Sequence, residues 1–150
     1  MQKHRETGHL VALLILLPGL FGLLAGQGCH SEKSARDEAH EVLERIARLD
    51  PNAPLDVRRA AIEAISALPV THEDLQGLRT VCLAAHRGLL EAEVTQAGVR
   101  TALASDAPPS QDALAALQAK MQQAAATLAT AQTALSTCEK LSRDATVRYR

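Results

Sequence analysis

Two long stretches repeat apolar residues at alternating steps of three and four, and that spacing constrains the fold more than any other feature. The first seam is Leu75, Leu78, Cys82, Ala85, Leu89, Ala92, Gln96, Val99 and Leu103. The second is Leu114, Leu117, Met121, Ala124, Leu128, Ala131, Leu135, Cys138, Ser142 and Ala145. An α-helix turns once in about 3.6 residues, so a heptad pattern lays one apolar stripe along each of two helices. Between them, Ser105, Asp106, Pro108, Pro109 and Ser110 form a turn that neither helix can cross. Helices joined by so short a loop fold back on each other as an antiparallel, coiled-coil-like hairpin. Many seam positions are alanine, which lets the two axes come close.

The register of that hairpin can be worked out from its cysteines. If Leu103 faced Leu114, Cys82 would meet Leu135 and miss Cys138 by one layer. With Leu103 opposite Leu117, the layers pair Val99 with Met121, Gln96 with Ala124, Ala92 with Leu128, Leu89 with Ala131 and Ala85 with Leu135. The next layer is then Cys82 with Cys138. A disulfide within the chain is the expectation; pairing between chains, or two free thiols acting as small core residues, are its alternatives. Closing the intervening loop would stabilise the fold by about 4 kcal/mol in the chain-entropy model. A different chemistry is also conceivable, because Cys82 and His86 are four apart on one helical face and with Cys138 could offer three soft ligands to zinc. No fourth ligand is evident and oxidation would consume both thiols, so neither a metal nor a cofactor is expected.

Upstream, Ala35, Ala39, Val42, Ile46 and Leu49 define one face of a helix expected over 35–49, starting at Ser34 and stopped by Asp50 and Pro51. A shorter helix is expected over 56–68, with Leu55, Ile62, Ile65 and Leu68 on its apolar side and Arg58, Arg59 and Glu63 on its polar side. Pro69 ends it, and Thr71 with Asp74 marks the next helix start. The hairpin helices are expected over 72–104 and 111–146. No alternating β-branched or aromatic runs point to strands. The fold class is therefore all-α: a long antiparallel helical hairpin with two shorter N-terminal helices, able to close into a small bundle. The segment LDVRRAAIEAISAL resembles one helix of a HEAT-type repeat, and ARLDPNAP resembles a tetratricopeptide junction. Neither recurs, and a solenoid needs about three units to bury a continuous core.

The N-terminus carries a different kind of signal. Lys3 and Arg5 precede an apolar run from Leu10 to Ala25, interrupted by Pro18, Gly19 and Gly22, and then come Gly26, Gln27, Gly28 and Cys29. The run is short of the roughly 20 apolar residues that a membrane-spanning helix needs. A charged start, an apolar centre and small residues are the anatomy of an export signal. With its cysteine, the segment resembles a bacterial lipoprotein signal, in which a lipobox of Leu, small, small and Cys is cut before a cysteine that is then acylated. Gln27 is larger than that pattern prefers, and Gly26 stands where Leu is commonest. The resemblance implies a signal peptide over 1–28, lipidation with palmitate-type acyl chains at Cys29, a tether over 29–34 and a helical domain over 35–150. His30, rather than Asp, follows the cysteine, which under the enterobacterial sorting rule implies the outer membrane, facing the periplasm. An oxidising periplasm would favour the Cys82–Cys138 bridge.

Composition after the signal narrows the function. From Cys29 onward there are 14 Lys plus Arg against 16 Asp plus Glu, a net charge of −2, so nothing seeks nucleic acid. The one Phe lies in the signal and there is no Trp, so stacking platforms for sugars or bases are missing. The remaining histidines, His30, His40 and His72, lie in polar sequence. Glu44 stands where a metalloprotease helix begun at His40 and Glu41 would need its second His. No Gly-x-Ser-x-Gly elbow or phosphate-cradling glycine loop occurs. Glu91 and Glu93 are two apart and do not share a helix face. The ending ATVRYR is similar to the tail of the murein lipoproteins of enteric outer membranes, but it lacks the terminal lysine that links them to peptidoglycan.

A non-enzyme with no evident small-molecule substrate is the expectation. The lipoprotein resemblance implies that it is held at the cell envelope by acyl chains, and it is expected to act as a structural or protein-interaction module through a partner or self-association. The alternatives are an inner-membrane rod with an uncleaved signal, or a metal or redox protein using Cys82, His86 and Cys138. One stretch bears on the choice: no charged residue occurs between Lys120 and Glu139. Either the N-terminal helices pack across it, or it meets a second copy or another protein.

Overall fold

Proline and turn residues cut the chain where they stand, and everything between is helix. The computed structural model describes residues 27–105 and 108–150, and holds α1 (Gln27–Ala47), α2 (Leu55–Ser66), α3 (Glu73–Leu103) and α4 (Gln111–Arg148). Among the described residues there is no strand. The fold is all-α, with the α3–α4 hairpin as its spine.

The start of α1 differs from expectation. The helix begins at Gln27 rather than Ser34, so residues 29–34 are helical. No glycine or proline follows Gly28 there to break a helix, and Arg36 pairs with Glu32 one turn away at 2.6 Å. Ala35, Ala39, Val42 and Ile46 form the buried stripe, while Arg45 with Glu41 and Arg48 with Glu44 pair on the exposed side. After Ala47 the Asp50 carboxylate accepts the Asn52 N–H at 2.8 Å, an Asx turn, and Pro54 caps α2.

The entry to α3 is built by a distant residue. Its N-cap, His72, makes no side-chain capping bond. Glu38 of α1 takes over: its carboxylate accepts the Thr71 N–H at 2.9 Å, the Thr71 hydroxyl at 2.7 Å and the His72 N–H at 3.0 Å. By contrast α4 caps itself, with the Ser110 hydroxyl accepting the Ala113 N–H at 3.3 Å.

Contacts along the helices give their directions. Glu38 lies at the start of α3, while Ile46 reaches the level of His86 and Leu135, so α1 and α3 run the same way. α2 runs back: Arg58 pairs with Glu93, Arg87 donates to the Ser66 hydroxyl at 2.9 Å, and Arg79 donates to the Leu68 carbonyl. At the end of α4, Arg148 pairs with Asp74, and the Tyr149 hydroxyl donates to the same carboxylate at 3.2 Å. The result is an up-down-up-down base whose core holds Val42, Ile65, Leu75, Leu78 and Cys82, all fully buried. The turn between α1 and α2 meets the hairpin at Glu93, Gln96 and Leu128 through Pro51 and Arg58. Past that level α3 and α4 continue as a two-helix arm.

The hairpin is close where its residues are small. A Cβ built on Gly88 would stand 2.8 Å from the Ala131 Cβ, nearer than two such atoms can rest, whereas Gly98 has open space. Both glycines are helical, so both substitutions to alanine gain the same helix propensity. Gly98→Ala should therefore raise stability by about 0.5–1 kcal/mol. Gly88→Ala should lower it by about 1 kcal/mol, because overpacking at the seam outweighs that gain. Denaturant unfolding of the two variants beside the parent chain checks the opposite signs.

Candidate functional site

Two features merit functional scrutiny: the cystine near the base and the bare arm. The structure brings Cys82 and Cys138 together, with sulfurs 1.98 Å apart and Cα atoms 4.9 Å apart. Both residues are buried. One turn beyond Cys82, His86 sits in a cleft with Ile46, Leu49, Pro51, Leu135, Glu139 and Arg143. Ser142 lines the same cleft, and its buried hydroxyl has no hydrogen-bond partner.

Electrostatics around His86 favour its neutral form. Burial pushes its pKa below the usual histidine value, and the nearby Arg58 guanidinium pushes it further down. Arg58 itself is buried, not on a polar outer face as its place in the sequence implied. Its tolerable burial comes from Glu93, whose half-exposed carboxylate takes the ion pair across to α3. Glu93 is thus more than a solvated surface group.

With the two sulfurs bonded to each other, neither is a free thiolate for a metal. Among the described residues, no group of three or more His, Cys, Asp or Glu side chains gathers in a way that could hold an ion. His86 is left as an isolated buried base, and the cystine acts as a clamp between α3 and α4.

The arm presents the second feature. Leu89 and Gln96 on α3, and Leu128, Leu135 and Ser142 on α4, face the turn between α1 and α2. Continuing in steps of seven, the same stripe reaches Leu103 on α3 and Met121 and Leu114 on α4. These three are 51%, 41% and 45% exposed. The heptad alone marked them as seam residues, buried between helices. What leaves them bare is the shortness of α1 and α2, which end their cover near Gln96.

The uncharged stretch of α4 is likewise only partly covered. Its Cys138 side is buried, and its Leu128 and Leu135 side is half-buried. Gln122, Ala125, Ala129, Gln132, Thr133 and Ser136 remain exposed, so packing by the N-terminal helices does not account for the missing charge. On the opposite face of the hairpin runs a shallow groove of small residues, including Ala84, Gly88, Thr127, Thr130 and Ala134.

Cys29 falls in the first turn of α1. Of the signal peptide expected over 1–28, residues 1–26 lie outside the described residues, and Gln27 and Gly28 begin α1. Among the described residues, no helix is long and apolar enough to cross a membrane. Comparison with protein-family models, curated proteins and solved structures returns no match.

Two measurements test the clamp and its neighbour. Replacing Cys82 and Cys138 with serine should cost about 4 kcal/mol, since the bridge closes a loop with a sequence separation of 56. Equilibrium unfolding of parent and double variant reads that difference. For His86, the unfolded chain binds a proton more readily than the folded one, so stability should fall as pH drops below about 6.5. A His86→Leu variant should lose that part of the pH dependence between about pH 7 and pH 5, as followed by thermal unfolding across the range.

Proposed function

We propose that this chain is a lipid-anchored helical protein of a bacterial cell envelope that acts by protein contact, as a structural or interaction module rather than an enzyme. The observation that carries the reading is polarity of layout. Cys29, which follows the signal-like segment, begins the molecule at one pole, and the hairpin loop stands at the other. Glu38 of α1 lies beside His72, and α3 runs on from there to Leu103. At about 1.5 Å per helical residue, Cys29 and the loop are roughly 60 Å apart. An acyl anchor on Cys29 would hold the base at a membrane and leave the far end of the arm open to protein contact. More than one acyl chain is needed for stable attachment, each buried CH₂ contributing about 0.8 kcal/mol.

What the arm offers at its far end is an apolar stripe, Leu103, Leu114 and Met121, beside an α4 face without charge. Such a surface supports contact with protein better than catalysis. His30 after the anchor favours the outer membrane, with the domain facing the periplasm.

Cys29→Ser should release the protein from the membrane fraction or leave its precursor uncut. Intact mass of the detergent-extracted parent chain should show a species starting at Cys29 with added acyl mass. A full-length mass with an intact N-terminus, or unchanged partitioning of the variant, would replace the lipid anchor with an uncleaved one.

A further inference from the structure

We infer that the bare stripe at the hairpin tip is covered by the tip of a second copy of this chain, docked antiparallel about a twofold axis at the level of Leu103 and Leu117. This deepens the protein-contact reading and rests on it.

The stripe continues an interface that the chain already makes with itself. Near the base, Ile46, Leu49 and Pro51 lie over Leu135 and the residues around it. Higher up, Pro51 and Arg58 lie over Leu89, Gln96 and Leu128. The uncovered positions Leu103, Leu114 and Met121 extend that same surface, and aliphatic helical side chains are what it already accommodates. Two bare two-helix arms laid face to face would complete a four-helix core.

Shape selects the antiparallel arrangement. The turn between α1 and α2 stands on the hairpin as a ledge at Glu93 and Gln96. A copy arriving in parallel would press its own ledge against this one and hold the tips apart. An antiparallel copy instead lays its arm in the open step beyond the ledge.

The register follows from the apolar residues. Placing Leu114 opposite Met121 of the second copy puts the axis between Leu117 and Gln118. The cystine register pairs that level of α4 with Leu103 on α3, so Leu103 faces its own symmetry mate. Walking outward along α4, Pro108 of one copy comes to the level of Thr127 of the other, next to the ledge at Leu128. The bare length is therefore filled by the arm that bares it.

Charge does not oppose the arrangement. Across the overlap, the charged residues of each copy on α3 and α4 are Arg100, Asp112 and Lys120. Asp112 comes within one helical turn of Lys120 of the second copy, twice by symmetry. The overlap from Gln111 to Ala124 is about 21 Å long. Across two helices it would bury roughly 400 Å² per copy, about 800 Å² in total, which is the size of a weak, transient interface. Self-association should accordingly depend on concentration.

The test uses the full chain extracted in detergent, so that an anchor does not restrict orientation. Leu103→Cys places a thiol on the axis, and Val147→Cys, at a position 71% exposed near the base, serves as control. A short bismaleimide should convert Leu103→Cys to a covalent dimer at least tenfold faster than Val147→Cys or the parent chain. In sedimentation equilibrium, the parent chain should rise from monomer toward twice the mass with concentration. Leu103→Glu should stay monomeric with unchanged helicity. Equal crosslinking at the two positions, or a parent chain monomeric up to about 0.5 mM, would overturn the proposal, including the case where a helix of another protein takes the stripe. If that happens while Cys29→Ser still leaves the membrane, the tip contact falls and the anchored-module reading stands.

Discussion

The close approach of α3 and α4 is the constraint on which the rest depends. Along their seam, Ala85, Ala92, Ala124 and Ala131 are nearly inaccessible, and Gly88 leaves room for Ala131 and little else. Small side chains bring two axes together but remove little apolar area from water, at roughly 25 cal/mol per Å². With one Phe, one Tyr and no Trp in the whole sequence, no bulky ring makes up the difference. The Cys82–Cys138 bridge suits such a seam. It restricts the unfolded chain rather than adding buried surface, and it fixes the register in which every other layer is read.

The base adds polar clamps where the apolar core thins out. Glu38 is the clearest, because one carboxylate from α1 satisfies donors at the start of α3 that His72 leaves open. Partial burial pushes its pKa up, but the hydrogen bonds from His72 and Thr71 outweigh that and hold it below the usual glutamate value. Since the folded pKa is the lower one, this clamp is complete above the ordinary glutamate range and is lost as pH falls through the lowered value. Arg58 with Glu93 ties α2 to α3, and Asp74 with Arg148 and Tyr149 ties the two ends of the hairpin. Each clamp joins elements that are distant in sequence, so together they set how α1 and α2 sit on the spine.

Local pattern and tertiary closure differ in how far the sequence discloses them. Helix class, the four helices and the hairpin could be read from prolines and heptads, because those signals act within a few residues. The layer register could be worked out because two cysteines happened to fall on seam positions. Three things could not be read. Gln27 as a helix start depends on the absence of a breaker rather than the presence of a cap. Arg58 looked like a polar-face residue until Glu93, distant in sequence, came alongside. Leu103, Leu114 and Met121 have the same heptad signature as buried Val99 and Ala124, since periodicity reports which face is apolar and not what lies against it. A length comparison was the available clue: two helices of 21 and 12 residues cannot cover two of 31 and 38.

That mismatch of length carries the functional argument. An apolar stripe that stopped where its cover stops would be a core and nothing more. Here the stripe keeps its spacing for about two further turns of α3, to Leu103, and about four of α4, to Leu114, beyond the other described helices. Polar residues at those positions would serve solubility and cost the hairpin little, because the seam proper at Val99 and Ala124 is already closed. Val147 is exposed alone at the base, while Val57 and Val94, also exposed, lie near the ledge where the cover ends. Arg58 and Glu93 mark the same level, placing a fixed polar step beside the open stripe. The bare surface runs from that ledge to the end of the arm. The arm of a second molecule has that length.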